Sequence, residues 1–428
     1  MNVIFILMVL CAFCFSGWQQ IFSAPVQGAP SPMAALSAAM IKSAGGSVEL
    51  AIGLVGVMAL FLGLMKVAEA GGMLTILARL IRPLMVRLFP EVPADHPAMG
   101  AMILNLSANM LGLGNAATPF GIRAMQELDK LNPQHGTATN AMALFLAINT
   151  SSVTLLPTGV IALRAAAGSS DPAAILPTTL FATIGSTIVA VIAAKVYQRF
   201  VPLKTVAGDA VLKTPLENEE DMPLKEAADG YPIWVSLLAL AFLVALIPVA
   251  VVYGRLVSPW ILPALMVGFL GFGLVRRVRV YEVFVEGAKD GFKVAVRIIP
   301  YLVAILVAVD MLRASGAMKA VAGMLGGVTG RFGLPAEALP MALMRPFSGS
   351  GAYGILASII NDPGIGPDSY TGYLVSTLQG STETTFYVMA VYFGAVQVRR
   401  IRHSLAAGLT ADVAAVIFAV LACSFFLR

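Results

Sequence analysis

Apolar runs of about twenty residues dominate the chain, and each is long enough to cross a bilayer as a helix. Two are interrupted by polar clusters, Asn149–Ser152 and Gln379–Thr384. The pattern predicts an all-α polytopic membrane protein with about nine transmembrane helices. The nine runs are Asn2–Phe22, Glu49–Ala68, Ala141–Leu163, Ile175–Val196, Ile233–Tyr253, Pro259–Val275, Val294–Leu312, Tyr373–Val396 and Leu405–Leu427.

The first run, Asn2–Phe22, allows two interpretations: a retained helix or a cleaved signal peptide, since Phe22-Ser23-Ala24 resembles a cleavage site. No Lys or Arg precedes the run and Pro25 would follow the cut, so a retained helix is predicted. The residues from Pro25 to Gly46 are rich in Ala and Ser and predict an extended loop. Residues 1–48 then form an N-terminal helix and loop.

A polar segment, residues 199–230, divides the chain and predicts a linker outside the membrane. On either side of it the elements follow one order: a span, an amphipathic helix, a re-entrant hairpin, an interrupted span and a final span. Ala101–Asn109 aligns with Ala342–Ser350, and Leu146–Thr154 aligns with Ser376–Thr384. The predicted units are a first repeat at 49–198, two connecting transmembrane helices at 231–280 and a second repeat at 281–428.

The number of crossings predicts how the two repeats are oriented. A hairpin that re-enters crosses nothing, so each repeat crosses an odd number of times and the two connecting helices add an even number. The second repeat is therefore upside down relative to the first. Inverted repeats are a transporter architecture in which the substrate site lies near the bilayer midplane, where broken helices meet.

Composition and charge agree with a membrane location. The chain is 58% hydrophobic and 12% charged, whereas soluble domains carry about 25% charge, so a soluble enzyme is excluded. Of the 28 Lys and Arg, nineteen fall on the linker side and eight on the other. The positive-inside rule places the linker and first hairpin in the cytoplasm and the C-terminus outside, in the inner membrane. The net charge of +5 then reflects cytoplasmic loops, and no nucleic-acid binding is predicted.

The chain carries no pattern for a metal, a cofactor or catalysis. Its three Cys lie in apolar runs and its three His are scattered in loops. No P-loop pattern is present, and nucleophile and base residues are not paired. We therefore predict neither a metal site nor a cofactor, and not an enzyme.

The polar clusters are the candidate binding site. Non-helical backbone at membrane depth survives only inside protein or along a wet cavity, and a helix break frees carbonyls for a cation and a helix N-terminus for a polar ligand. Alternatively, the hydroxyls bond back to the preceding turn or join helices, and the hairpin tips are ordinary surface turns. The candidate substrate-binding residues are Asn105, Ser107, Asn109, Asn115, Thr118, Asn149, Thr150, Ser151, Ser152, Ser348, Ser350, Tyr353, Gln379, Ser381 and Thr382.

One ionisable residue lies inside a polar cluster. Glu383, with Thr384, is a candidate ion-coupling site that exchanges a proton or binds a cation. The alternative is a permanent ion pair between Glu383 and Arg345 on the facing hairpin. Asp310 and Asp412 are weaker candidates, since either could lie near a water-filled mouth.

Two long motifs carry a family resemblance. Residues 109–126, Asn109-Met-Leu-Gly-Leu-Gly-Asn-Ala-Ala-Thr-Pro-Phe-Gly-Ile-Arg-Ala-Met-Gln, resemble spore maturation protein A. Arg345-Pro-Phe-Ser-Gly-Ser-Gly and residues 376–388 resemble spore maturation protein B. The resemblance implies a fusion of the two in the nucleoside-recognition or gate-domain group, which is similar to concentrative nucleoside transporters and to the gate of bacterial ferrous-iron permeases.

The leading functional hypothesis is an inner-membrane secondary transporter coupled to protons or sodium ions. It would move a small polar solute that is nucleoside-like, amino-acid-like or a carboxylate. The alternative is a non-transporting membrane scaffold or sensor whose polar clusters only join helices. The partners expected are the solute, a proton or sodium ion and membrane lipid, and a homo-oligomer is compatible with the sequence.

Overall fold

The described residues form an almost entirely helical protein. A computed structural model describes residues 2–22, 30–112, 117–202, 230–317, 320 and 329–427, and within these the only β geometry is an isolated bridge between Thr137 and Arg400. The helices are α1 (Asn2–Phe22), α2 (Pro32–Ala70), α3 (Met73–Leu88), α4 (Pro97–Met110), α5 (Ala117–Lys130), α6 (Asn140–Thr150), α7 (Thr158–Ala166), α8 (Leu176–Phe200), α9 (Ile233–Val275), α10 (Val280–Ala314), α11 (Leu339–Met344), α12 (Gly349–Ile360), α13 (Tyr370–Ser381), α14 (Thr385–Ala395) and α15 (Ser404–Phe426).

Length and composition fit a polytopic membrane protein. In the part of the chain that the structure describes, four helical stretches are long and apolar enough to cross a membrane: Phe5–Phe22, Pro32–Ala70, Pro172–Phe200 and Ser404–Phe426. Exposed Ile, Leu, Phe and Trp side chains occur along α1, α8, α9 and α15, as expected where lipid replaces water. The predicted all-α polytopic class is confirmed.

The first helices of the two repeats, α2 and α10, pack antiparallel. A Cβ on Gly287 would lie 2.6 Å from the Leu62 carbonyl oxygen, and one on Gly291 would lie 2.6 Å from the Ala59 Cα. The partner residue number thus falls along α2 as it rises along α10. Because glycine has no side chain, the two backbones touch, as is typical of small residues at membrane helix interfaces.

Two further pairs of equivalent segments also run antiparallel. Between α8 and α15, the Tyr197 hydroxyl lies 3.0 Å from Thr410 Oγ1, while Phe181 packs edge-on against Phe426. At one end of the broken helices, the Ala138 N–H donates to the Arg400 carbonyl at 2.9 Å. The helices α2 and α10, the helices α8 and α15 and the two broken helices thus run in opposite directions, so the predicted inverted repeat is confirmed.

The segment predicted as a loop from Pro25 to Gly46 is largely helical. Residues 23–29 lie outside the described residues, but α2 begins at Pro32 and continues for 39 residues, about 58 Å at 1.5 Å per residue. Ser31 caps the helix, since its Oγ accepts a hydrogen bond from the Ala34 N–H at 3.3 Å. Alanine-rich sequence and proline at the first position favour a helix, and the loop prediction gave too much weight to glycine and serine.

The two predicted connecting helices form a single helical segment, α9, that reverses direction. Its 43 residues would span about 64 Å if straight. However, Ser236 Oγ donates to the Leu80 carbonyl at 2.5 Å, and a Cβ on Gly71 would lie 2.6 Å from the Phe272 ring. Ser236 therefore lies beside the middle of α3 and Phe272 beside the α2–α3 junction, so α9 bends back on itself. Residues 254–258, which separate the two predicted runs, are also helical. The linker at 203–229 lies outside the described residues.

The hairpins differ in length, which shifts their register. The first consists of α4 and α5 and the second of α11 and α12, and α11 has only 6 residues against 14 in α4. Ser107 consequently lies within α4, where its Oγ donates to the Ile103 carbonyl, whereas Ser348 caps α12. Ser107 and Ser348 therefore do not occupy equivalent positions in the two hairpins, as the sequence alignment had predicted they would. The first predicted amphipathic helix is α3, which buries Leu74, Ala78 and Met85; the second lies largely outside the described residues.

Gly291→Ala is expected to destabilise the protein by about 1–3 kcal/mol, because the new methyl group would meet the α2 backbone, which cannot move aside cheaply. Gly268→Ala is the matched control, since a Cβ there has nothing within 4 Å and alanine favours a helix. Thermal unfolding of the purified protein measures both. Equal melting temperatures for the two variants would contradict the close α2–α10 contact.

Candidate functional site

The two helix breaks meet each other. The first separates α6, which ends at Thr150, from α7, and the second separates α13 from α14 at residues 382–384. The Glu383 N–H donates to the Thr150 carbonyl at 2.7 Å. A carbonyl group without a helical partner at one break therefore accepts a hydrogen bond from an N–H group at the other break. The two polar clusters lie together, as the repeat alignment predicts.

The first hairpin tip covers the first break. The Leu155 N–H donates to the Met110 carbonyl at 2.9 Å, and Asn109 Nδ2 donates to Asn149 Oδ1 at 2.9 Å. Gly112 has φ +73°, and a Cβ there would lie 2.3 Å from the Leu156 carbonyl oxygen. Only glycine permits both this left-handed backbone and the close approach.

Gly112→Ala is expected to destabilise the junction more than Gly136→Ala. Both glycines have left-handed backbone, with φ +73° and +77°, so alanine strains both by about 1 kcal/mol or more. A Cβ on Gly136 has nothing within 4 Å, whereas one on Gly112 meets the break. Unfolding measurements on the two variants isolate the contact, and equal destabilisation would contradict it.

The second hairpin tip covers the second break in the same way. The Phe386 N–H donates to the Pro346 carbonyl at 3.1 Å, which mirrors the bond between Leu155 and Met110. Arg345 Nη1 donates to Thr384 Oγ1 at 3.1 Å, and Arg345 Nη2 donates to the Thr382 carbonyl. A guanidinium thus satisfies backbone that the break leaves without a helical partner.

Glu383 is exposed, although its neighbours Thr382 and Thr384 are 6% and 5% exposed. Within the described ranges, no ion pair within 4 Å joins its carboxylate to Arg345 or to any other cation. Its carboxylate interacts electrostatically with the hydroxyls of Tyr353 and Tyr392. Glu383 is therefore an exposed carboxylate beside the junction and not an ion-pair partner of Arg345 in the described structure.

An amide and hydroxyl network links the first hairpin to the second repeat. Asn105 Nδ2 donates to the Tyr392 hydroxyl at 3.1 Å and to the Ala117 carbonyl at 2.9 Å. The Tyr392 hydroxyl donates to Asn149 Oδ1 at 3.5 Å. From the second hairpin, Tyr353 reaches α7, where a Cβ on Gly159 would lie 2.4 Å from its hydroxyl. Both repeats contribute to one polar layer.

Several buried polar atoms at this junction have no hydrogen-bond partner among the described protein atoms: Asn105 Oδ1, Thr150 Oγ1, Thr179 Oγ1, Arg345 Nε, Gln379 Oε1 and Asp412 Oδ1. Leaving one such group unsatisfied costs about 1–3 kcal/mol. Such a concentration is typical of a site that binds water or a polar ligand. The region between the second hairpin, α13 and α15 has a cavity of about 10 Å³, enough for about one water molecule.

Other candidate residues are placed less centrally. The hydroxyls of Ser107, Ser151 and Ser381 bond back to their own helices, which is the local alternative considered above. The Ser348 and Ser350 hydroxyls lie 3.4 Å apart, Ser152 is buried beside the first break and Thr118 is half-buried at the start of α5. Asn115 lies outside the described residues, and no group of three or more His, Cys, Asp or Glu in the described part is placed to hold a metal ion.

Sequence reasoning missed Arg164, which it treated as a charge in an outer loop. Arg164 is completely buried, with Nη2 3.0 Å from Asp368 Oδ1, Nη1 donating to the Pro367 carbonyl at 2.6 Å and its guanidinium 4.3 Å from the centre of the Tyr373 ring. It joins α7 of the first repeat to the start of α13 in the second. A basic residue directly after the predicted end of an interrupted span, Leu163, was the available signal.

Asp368, in the loop before α13, stays ionised to hold this contact. Partial burial alone would raise its pKa, but hydrogen bonds from Ser169 and Ser170 and the Arg164 charge together lower it below the usual value. The ion pair is therefore complete at neutral pH and weakens only in acid, as the carboxylate becomes protonated.

Residues 51–167 and 295–399 match the family Gate, described as nucleoside recognition. The chain is 48% identical over 154 residues to spore maturation protein A of Bacillus subtilis (strain 168), covering 36% of this chain and 79% of that protein. It is 43% identical over 160 residues to spore maturation protein B of the same organism, covering 37% and 89%. The family resemblance predicted from the motifs is confirmed.

Among solved structures, similarity extends along nearly the whole chain at low identity. CNTnw in an inward-facing substrate-bound state aligns with a TM-score of 0.39 and 14% identity over 98% of this chain and 93% of that one. The Alcanivorax borkumensis YdaH transporter aligns with a TM-score of 0.37 and 15% identity over 99% and 97%.

Proposed function

The chain belongs to the nucleoside-recognition Gate family, and on this premise we propose that it is a secondary transporter of a small polar solute in the inner membrane. The observation that carries the proposal is the 2.7 Å hydrogen bond between the two helix breaks, from the Glu383 N–H to the Thr150 carbonyl. It brings two polar segments, each covered by a hairpin tip, to one point between inverted repeats. Such junctions are where transporters of this architecture bind their solutes.

The unpartnered buried groups support a ligand at this junction. Thr150 Oγ1, Gln379 Oε1 and Asn105 Oδ1 come from both repeats and from the first hairpin. A helix bundle that only needed to be stable would gain by replacing them with apolar side chains, because buried polar atoms are costly unless they are bonded. A solute with several donors and acceptors, nucleoside-like, amino-acid-like or a carboxylate, would complete them.

The hairpins are the elements expected to move. Each is tied to its break by a backbone hydrogen bond, Leu155 to Met110 and Phe386 to Pro346, and each enters from its own side of the molecule. Releasing one hairpin while the other stays bonded would open the junction to one side at a time. Glu383, exposed beside the second break, is the proposed contact for a coupling proton or sodium ion.

A non-transporting scaffold or sensor is the second candidate. It is favoured by the small size of the cavity beside the second break, about 10 Å³, which admits no metabolite in this conformation. In that case the unpartnered groups would bind only water.

Solute counterflow in proteoliposomes separates the two functions. We expect the purified protein to exchange at least one radiolabelled solute from a panel of nucleosides, amino acids and small carboxylates, with the rate altered by an imposed pH or sodium gradient. Asn149→Ala should abolish exchange, whereas Asn361→Ala should not, because the Asn361 side chain bonds only within its own helix end. If no panel member is exchanged above protein-free liposomes, the transport proposal fails and the scaffold is favoured.

The proposed orientation places residues 276–279 and 399–402 in the cytoplasm. We expect Val278→Cys to resist a membrane-impermeant thiol reagent in intact cells and to react after permeabilisation, whereas Pro363→Cys, at the other end of the molecule, should react in both. The exposed native thiols of Cys11 and Cys14 are first replaced by serine. Labelling of position 278 in intact cells would reverse the orientation.

A further inference from the structure

A cavity for about one water molecule lies between the second hairpin tip, the end of α13 and the middle of α15. Its polar lining consists of Arg345, Ser381, Thr382 and Asp412. It therefore places one cation and one carboxylate on opposite elements around a space of about 10 Å³.

The Asp412 carboxyl group is poorly arranged to remain charged. The residue is 7% exposed; its Oδ2 accepts a hydrogen bond from Thr385 Oγ1 at 2.6 Å, and its Oδ1 is buried without a partner among the described atoms. A buried carboxylate with one unbonded oxygen is far more costly than the neutral acid. The geometry therefore suits a carboxyl group that gains and loses a proton.

Arg345 does not neutralise Asp412 directly. Its two terminal nitrogens donate to Thr384 Oγ1 and to the Thr382 carbonyl, its Nε has no partner, and no ion pair within 4 Å joins it to Asp412 in the described structure. The residue is 7% exposed. Its guanidinium thus holds the second hairpin to the unwound segment and leaves the carboxyl group on the other side of the cavity.

Few other charged groups surround Asp412. The described residues of α6, α13 and α14, which pack against α15, include no Asp, Glu, Lys, Arg or His; their titratable groups are Tyr370, Tyr373, Tyr387 and Tyr392. On α8, the Tyr197 hydroxyl lies 3.0 Å from Thr410 Oγ1, two residues before Asp412, and Lys195 and Arg199 flank Tyr197 in the sequence. The other carboxylate in this region belongs to Glu383, which lies in the sequence between the two Arg345 partners Thr382 and Thr384 and is exposed.

We propose that Asp412 binds the coupling proton of the transport cycle and that Arg345 responds to its charge, an inference that rests on the proposed transport function. When Asp412 is protonated, Arg345 stays on Thr382 and Thr384, as observed, and the second hairpin remains attached to the break. When the proton leaves through the cavity water, the carboxylate attracts the guanidinium across the cavity. Arg345 then releases the unwound segment and joins the hairpin tip to α15.

The consequence is a division of roles between the two carboxylates near Arg345. Buried Asp412 changes its charge during the cycle. Exposed Glu383, beside the unwound segment, remains the proposed contact for a cation or the solute. Protonation of Asp412 and attachment of the second hairpin to the break are therefore coupled. A solute held under this hairpin is released only when Asp412 is deprotonated.

Infrared titration of the purified, lipid-reconstituted full chain tests the proton site without any solute. A protonated carboxyl group has a carbonyl stretching band that the carboxylate lacks. We expect wild type and Glu383→Gln to share a band that disappears as pH rises and that is lost at every pH in Asp412→Asn. Thr385→Val, which removes a donor to the charged form, should keep the band and shift its disappearance to higher pH.

Other outcomes are decisive too. A band that persists in Asp412→Asn and disappears in Glu383→Gln would overturn the proposal and assign the proton to Glu383. The Thr385→Val arm covers the case in which Asp412→Asn does not fold, because an unshifted band there also overturns the proposal. Because no solute is used, a negative result leaves the counterflow test of transport untouched. A titrating Asp412 in a protein without counterflow would leave the proton site standing and remove its coupling role.

Discussion

Replacing Arg164 by alanine is expected to lower the free energy of unfolding by about 3 kcal/mol. The side chain is completely buried, so its removal leaves a cavity and strands two carbonyl oxygens, of Pro367 and Asp171, that its guanidinium satisfies. The side chain of Asp368 is 35% exposed, so water can solvate its carboxylate when Arg164 is removed. The loss of stability is therefore smaller than for a fully buried ion pair.

Chemical unfolding in detergent micelles measures this effect. Arg331→Ala is the matched control, because Arg331 is exposed and surface substitutions change stability by about 0.5 kcal/mol or less. Asp368→Asn should cost less than Arg164→Ala, since the amide still accepts hydrogen bonds from Ser169 and Ser170. If Arg164→Ala and Arg331→Ala unfold alike, Arg164 does not hold the two repeats together.

Glu383→Gln is expected to lower solute uptake on the order of tenfold or more, a loss of about 1.4 kcal/mol, while leaving stability within about 0.5 kcal/mol of wild type. The carboxylate is exposed and the structure gives it no ion-pair partner within 4 Å among the described residues, so its removal breaks no buried contact. It stands at the meeting point of the two breaks, where its charge can act on a solute or ion.

Uptake and melting temperature are measured on the same preparation. Glu337→Gln, an exposed glutamate outside the junction, should retain both. Strong destabilisation of Glu383→Gln that is repaired by also neutralising Arg345 would show a structural ion pair and remove the functional role. Unchanged uptake would place the solute path elsewhere.

The helix breaks and the inverted orientation were predictable because their causes are local. Polar clusters beside Pro157 and Gly380 interrupt runs that are otherwise apolar, and the crossing count follows from run lengths. In hydrocarbon the backbone N–H and C=O groups must be hydrogen-bonded within the protein, so polar interruptions of an apolar run indicate helix breaks that are buried in the protein. The approach of the two polar clusters followed from their equivalent positions in the two repeats.

What the sequence did not reveal depends on contacts between distant residues. Arg164 looked like a loop charge because its partner Asp368 lies 204 residues away. The hairpin register was wrong because unequal helix lengths cannot be read from an alignment of tip residues. The start of α2 was missed because glycine and serine are common both in loops and at close helix contacts, such as those between α2 and α10.

The antiparallel contacts between repeats have a consequence for assembly. The interfaces α2–α10, α8–α15 and the paired breaks all join residues that precede the linker to residues that follow it. In two separate polypeptides these would be intermolecular contacts, and their occupancy would fall as the membrane concentration of the components fell. A covalent connection instead sets a constant effective concentration, on the order of millimolar for short flexible linkers. Because the two repeats are covalently joined, they are present in equal numbers. The occupancy of their contacts also does not depend on the expression level of the protein.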